Sequence, residues 1–182
     1  MDHMQVFGYG SLVNNTTHDH DVVAVQVTGW RRVWRTLGAR NVATLSVTPA
    51  PGATLSGVMM QVPRAAQAAL DAREAGYVRV PVQTIDGQDA CLYEVQDHLG
   101  QAEVRPILRS YLDVVLLGYE AMFGPESLDA FYQTTDGWHW PIYDDRDAPR
   151  YPRACQISRL DAARFDALHA KWTPSDGGGT TT

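Results

Sequence analysis

Apolar residues are spaced differently in different parts of the chain, and the spacing predicts most of its elements. Residues 5–7 are a short apolar run that ends in Gly8-Tyr9-Gly10-Ser11, a strand entering a tight turn that glycine permits. Residues 22–34 form a β-rich stretch with Gly29 as a bend or bulge, and residues 42–47 and 54–62 read as two further strands separated by Pro49-Ala50-Pro51-Gly52. Pro63 stands where a helix accepts its first residue, and the alanine-rich run behind it predicts a helix over 63–74 that Gly76 ends. Residues 77–82 and 90–95 follow as paired strands joined through Asp86-Gly87.

From residue 105 the period becomes helical. Ile107, Leu108, Tyr111, Leu112, Val115, Leu116, Tyr119 and Met122 make one stripe of a helix over 105–123, followed by a short helix over 126–132. A last helix over 158–172 has Ser158 as its N-cap. Residues 174–182, with Gly177-Gly178-Gly179, read as a flexible tail behind one domain spanning 1–173. Strands followed by helices, with no internal repeat and no linker, predict an α+β fold: a small, mostly antiparallel, curled and β-barrel-like sheet flanked by helices.

Composition narrows the chemistry. The 182 residues are 45% hydrophobic and 20% charged, enough to bury a core without disulfides or a structural metal. A formal charge of −6 with thinly spread cations argues against nucleic acid as a partner. No stretch approaches 18 apolar residues and no basic leader precedes the first strand, so the expectation is a cytoplasmic protein without a membrane partner. Cys91 and Cys155 are far apart and read as two buried free thiols. Lys171 is the single lysine, which leaves no residue for a P-loop, a kinase lysine or a Schiff base.

The turn at Gly8-Tyr9-Gly10-Ser11-Leu12-Val13 lacks the third glycine of a dinucleotide fingerprint and the second glycine of a nucleophile elbow, because Val13 holds both places. Two readings of it stay open on spacing: a plain turn, or a concavity of backbone N–H groups that binds a carboxylate or an oxyanion. Leu70-Asp71-Ala72-Arg73-Glu74-Ala75-Gly76-Tyr77 sets Glu74 at a helix C-terminus, where the helix dipole disfavours a carboxylate. Partial burial there would raise its pKa, whereas a solvated glutamate beside Arg73 is the plainer alternative.

Taken together, Val6-Phe7-Gly8-Tyr9-Gly10-Ser11-Leu12, Gly29-Trp30-Arg31-Arg32-Val33-Trp34 and the segment from Leu70 to Tyr77 resemble the γ-glutamylcyclotransferase-like superfamily. The Trp-Arg-Arg stretch and the Arg73-Glu74 pair are most similar to its ChaC-like branch. The resemblance covers residues 4–82. It implies a small β-barrel with helices, backbone amides of Tyr9, Gly10, Ser11 and Leu12 holding a γ-glutamyl group, and Glu74 as the acid/base. It also implies a cofactor-free reaction that releases 5-oxoproline from a γ-glutamyl amine, peptide or glutathione-like small molecule, with no metal. Beyond Val95, the proline- and aromatic-rich segment 136–146 stands in place of the glycine- and asparagine-containing motif of the glutathione-degrading members. A binding or sensor domain that keeps the loop without turnover is the alternative from another class, and removal of a γ-glutamyl protecting group is a third.

Other constellations are expected to be structural. His18-Asp19-His20 reads as a solvated polar loop, and Asp144-Asp145-Arg146-Asp147 as an internally paired turn. Tyr77 and Arg79 alternate along a strand and share a face that either lines a pocket or packs elsewhere. Trp138, Trp140, Tyr143 and Tyr151 either cap a pocket mouth or pack over the sheet edge.

Overall fold

The computed structural model describes residues 3–38, 40–95 and 104–173; the expected tail at 174–182 lies outside the described residues. In chain order the elements are β1 (His3–Gly8), β2 (Val22–Thr36), β3 (Ala43–Pro63), α1 (Arg64–Arg73), β4 (Val78–Gln83), β5 (Asp89–Glu94), β6 (Ile107–Leu108), α2 (Arg109–Phe123), α3 (Ser127–Gln133), β7 (Thr135–Asp136), β8 (Ile142–Tyr143) and α4 (Arg159–Trp172).

The main sheet runs β4-β5-β1-β3-β2-β7. Its pairs are antiparallel except β1 with β5 and β2 with β7. The β4 end curls back towards β2: Val27 bridges Thr84, and the Ile85 N–H donates to the Gln26 carbonyl at 2.9 Å. That curl gives the half-barrel its concave side, which α2 fills. Leu112, Val115, Leu116 and Tyr119 of α2 pack with Phe7, Leu45, Val58 and Leu92 of the strands. A second cluster, Val6, Leu12, Met60, Val62, Leu70 and Tyr93, fixes α1 to β1 and β3. Both clusters are almost water-free, and burying each such aliphatic or aromatic side chain contributes about 1.5–3 kcal/mol.

Four expectations need correction. Residues 43–63 are one continuous strand, not two. The β2 register jumps from Thr28–Thr54 to Trp30–Pro49, so residues 50–53 face Gly29 in a bulge, with Gly29 at φ 84° and Gly52 at φ 81°. The prolines there remove donors, but the bulge removes the need for them. The helix expected from residue 105 starts at Arg109, because Ile107 and Leu108 pair with β8 and the Ile107 N–H donates to the Pro141 carbonyl. Pro106 biases its predecessor towards extended backbone, which the periodicity of the side chains does not register.

The Asp144–Asp147 turn, expected to pair internally, does so only through the Arg146 N–H, which donates to the Asp144 carboxylate at 3.2 Å; its side-chain charges pair outward. Arg146 holds Asp113 of α2 at 2.7 and 2.9 Å and Asp166 of α4 at 2.8 Å, and Asp145 accepts from the N–H and hydroxyl of Ser110. Nor is His18 in a solvated loop: its ring is half-buried, with Nε2 2.9 Å from the Leu12 carbonyl oxygen. Elsewhere α1 and α4 fall within a residue of their expected bounds, and Ser158 caps α4 by accepting from the Asp161 N–H at 3.0 Å. Both cysteines are free and partly buried. Among the described residues no helix is long and apolar enough to cross a membrane.

Candidate active site

The turn after β1 is a short 3-10 segment, residues 11–13. Its internal hydrogen bonds begin with Val13 N–H to the Gly10 carbonyl, which leaves the Ser11 and Leu12 amides without a partner inside the turn. Position 10 is tight against α2 and β3. A Cβ there would lie 3.1 Å from the Tyr111 hydroxyl and 3.5 Å from Leu45.

The turn is held from three sides. Asn14 donates from its side chain to the Val114 carbonyl of α2 at 2.8 Å, and Gly118 lets α2 approach so closely that a Cβ would lie 2.7 Å from the Asn14 nitrogen. The Tyr9 hydroxyl donates to the Tyr93 carbonyl of β5. From beneath, the Arg32 guanidinium, only 1% exposed, donates to the Tyr9 carbonyl at 3.0 Å, the Ser56 carbonyl at 2.9 Å and the Thr134 hydroxyl at 2.6 Å. It lies 4.7 Å from the ring centroids of both Tyr119 and Phe131. Aromatic faces and carbonyl oxygens thus surround this buried cation, and they offset part of its desolvation.

Glu74 is the C-cap of α1. Its N–H reaches the Leu70 carbonyl at 2.9 Å, and Gly76 at φ 94° turns the chain away towards β4. Its carboxyl is not the solvated group of the plainer expectation: the side chain is 16% exposed, and Arg73 Nε lies 3.3 Å from it. Burial raises its pKa above the ordinary carboxylate value, against the pull of Arg73, Arg153 and Arg40.

Arg73 joins the two segments that the sequence presents separately. Its Nε faces Glu74, while its terminal nitrogens donate to the Thr17 carbonyl at 2.9 Å, the Thr17 hydroxyl at 3.2 Å and the Ser11 hydroxyl at 3.3 Å. Tyr9, Gly10, Ser11, Leu12 and Glu74 consequently line one pocket of about 420 Å³, a size suited to a small metabolite.

The opposite wall comes from the other half of the chain: Tyr111 of α2, and Arg150, Tyr151, Pro152 and Arg153 from the segment before α4. Burial, then the neighbouring Tyr77, Tyr151 and Glu74, keep the Tyr111 phenol well above its ordinary pKa, so it is a neutral donor at physiological pH. It has no hydrogen-bond partner among the described residues. Tyr77 lines the pocket and donates to the Leu45 carbonyl at 3.0 Å, whereas Arg79 leaves that face and pairs with Asp71. The four aromatics expected to act together divide: Trp138 and Trp140 are core, Tyr143 is exposed, and only Tyr151 reaches the pocket.

No family model matches the sequence, and no curated protein matches it. Solved structures do match in shape. A gamma-glutamyl cyclotransferase structure superposes with a TM-score of 0.58 at 14% identity, covering 91% of this chain and 99% of its own. The fold is the gamma-glutamyl cyclotransferase fold. The uncharacterised human protein loc79017 matches at a TM-score of 0.57 and 13% identity, over 91% of this chain and 99% of its own. YkqA of Bacillus subtilis matches at 0.54 and 19% identity, over 75% of this chain and 57% of its own. At these identities the likeness is one of fold, so chemistry must be argued from the pocket itself.

Residues that sequence reasoning did not pick out complete the site within the gamma-glutamyl cyclotransferase fold. Arg32 was visible only as part of a motif without a role; its adjacency to Arg31 gives no sign that one points outward to Asp136 and the other into the core. Asn14, Gly118 and Tyr111 act across about a hundred residues of chain, and no local pattern marks them.

Proposed function

We propose that the protein is a cofactor-free γ-glutamylcyclotransferase that releases 5-oxoproline from a γ-glutamyl amine, peptide or glutathione-like compound. The observation that carries the reading is the Arg73 bridge. It ties the half-buried Glu74 carboxyl to the amide-bearing turn so that both face one pocket. The reaction needs those two parts. The α-amine of the substrate attacks its own γ-carbonyl, a C–N bond closes the five-membered lactam, and the original amide C–N bond breaks. Two protons leave the α-ammonium as it becomes the lactam N–H, one before attack and one from the tetrahedral intermediate, and both end on the departing nitrogen, which leaves as an ammonium.

Glu74 takes these protons in turn and returns them to the departing nitrogen, and its raised pKa brings the acid and base forms closer in energy at neutral pH. The Ser11 and Leu12 amides stabilise the tetrahedral oxyanion, and Tyr111 offers a further neutral donor. Folding the substrate so that amine meets carbonyl is worth about 7–11 kcal/mol of barrier, which makes pocket shape as important as proton transfer. On the same reading Trp30-Arg31-Arg32 and Arg73-Glu74 ally the chain with the ChaC-like branch. A cytoplasmic setting, with its γ-glutamyl metabolites, fits this activity.

The test is release of 5-oxoproline by the wild type and by Glu74→Gln from a panel of γ-glutamyl compounds. Glu74→Gln should lose about 10²–10⁴-fold in kcat while still binding substrate. Equal loss of binding and turnover would remove Glu74 from the proton-transfer role. Ligand binding without turnover by wild type would turn the protein into a binding domain.

A further inference from the structure

We propose that Arg40, Arg150 and Arg153 form a leaving-group subsite that selects γ-glutamyl conjugates whose amine carries an anionic group, over conjugates of neutral or cationic amines. The proposal rests on the cyclotransferase reading of the pocket and specifies its substrate class.

The pocket and the rest of the chain carry opposite net charge. The chain as a whole has six more acidic than basic residues, yet four arginines and one glutamate line this pocket, an excess of three positive charges. A γ-glutamyl group cannot match that excess, because its α-carboxylate and α-ammonium cancel. The remaining charge therefore falls to the other half of the substrate.

The arginines of the molecule are held in different ways. Arg31, Arg79, Arg146 and Arg164 each meet a carboxylate elsewhere in the molecule. Arg73, the inner cation of the pocket, is spent on Glu74, Ser11 and Thr17. The outer three have no carboxylate at ion-pair distance among the described residues. Arg40 makes a long 3.4 Å contact to the Ala75 carbonyl, Arg150 lies 5.4 Å over the Tyr143 ring, and Arg153 makes no hydrogen bond.

The three outer arginines also converge in space. Arg40 comes from the β2–β3 connection and the other two from the segment before α4, so remote parts of the chain bring like charges to one mouth. Both Arg40 and Arg153 lie close enough to act on the Glu74 carboxyl. Glu74 is shared with Arg73 and cannot balance them, so like charges with no carboxylate at ion-pair distance repel one another, and an anionic ligand relieves that repulsion. Guanidinium forks match carboxylate and phosphate equally, so the shared chemistry is an anion on the departing amine.

The experiment compares γ-glutamylglycine, γ-glutamyl-O-phosphoethanolamine and neutral γ-glutamylethylamide as substrates of the wild type, and calorimetric binding of all three to Glu74→Gln. At low salt, kcat/KM should be at least tenfold higher for an anionic conjugate, chiefly through KM, and 0.5 M salt should erode the advantage. The two anionic arms tell carboxylate from phosphate. In Arg40→Gln/Arg150→Gln/Arg153→Gln the preference should collapse to within twofold. Arg153→Gln alone, at an exposed position, should lose about threefold of it and keeps the test open if the triple variant folds poorly.

Equal use of neutral and anionic conjugates by wild type, or an undiminished preference in both variants, overturns the subsite. If no conjugate yields 5-oxoproline but Glu74→Gln binds an anionic one tenfold more tightly, the cyclotransferase reading falls and the subsite stands. Binding of none overturns both.

Discussion

The two walls of the pocket are built differently. The near wall, residues 8–12 with Arg73 and Glu74, consists of main-chain donors on a turn pinned by several hydrogen bonds and backed by the buried Arg32, with one carboxyl held beside Arg73. The far wall, Tyr111 with Arg150 to Arg153, presents side chains with few or no protein partners. A rigid near wall suits the invariant part of the reaction, closing a lactam, because a misplaced oxyanion donor costs rate directly. A far wall whose polar groups are left unspent suits recognition of whatever amine departs.

If the near wall is supported from within, removing Arg32 should have the largest effect. Arg32→Met would leave the Tyr9 and Ser56 carbonyls dependent on the single proton of the Tyr119 hydroxyl, which lies 2.9 and 2.8 Å from them. A buried carbonyl without a donor costs about 1–3 kcal/mol. With the lost aromatic contacts, the expected loss of unfolding free energy in denaturant titration is about 2–4 kcal/mol. Native stability in Arg32→Met would mean that the β-sheet, not this cation, holds the turn.

The same contrast explains what was legible in the sequence. The near wall is written in short segments, because a glycine-bearing turn after a strand and a glutamate at a helix end are local events. The sheet was legible for the same reason, since alternation and turn residues mark strands one at a time. The β3 bulge escaped because Pro49 and Pro51 look like a break unless residues 50–53 are known to lie across the ladder from Gly29, a register that no local pattern gives. β6 escaped because two residues paired to a remote strand carry no period of their own. The far wall depends on how α2 and the segment before α4 meet the half-barrel, so Tyr111 and the arginines had no neighbours in the sequence to give them a role, and Tyr151 could be read there only as one of two alternatives.

The far wall should respond in the opposite way to the near wall. The Tyr111 hydroxyl bonds nothing among the described residues, so Tyr111→Phe should leave the melting temperature nearly unchanged. Its kcat/KM for 5-oxoproline release should fall about tenfold, the worth of one hydrogen bond to developing charge. A large loss of stability without a change in kcat/KM would move Tyr111 from transition-state stabilisation to packing.

The smallest effect is in the near wall, and its sign is the informative part. Burial raises the Glu74 pKa in the folded state above its unfolded value, so between those two pKa values the folded protein binds more protons than the unfolded chain. The stability this confers is fully present below the unfolded pKa and is lost as pH rises through the folded one. Activity runs the other way, because the ionised carboxylate is the base, so turnover should rise across the same window. Glu74→Gln cannot ionise, and should therefore melt higher than wild type at pH 7–8, with the gap closing as the pH is brought below about 4, near the ordinary carboxylate range. A variant that melts lower at neutral pH would mean that Glu74 holds Arg73, and through it the turn, more strongly than its burial opposes its charge. The carboxyl would then be a structural tie first, and the division between a rigid near wall and an unspent far wall would no longer coincide with the division between chemistry and recognition.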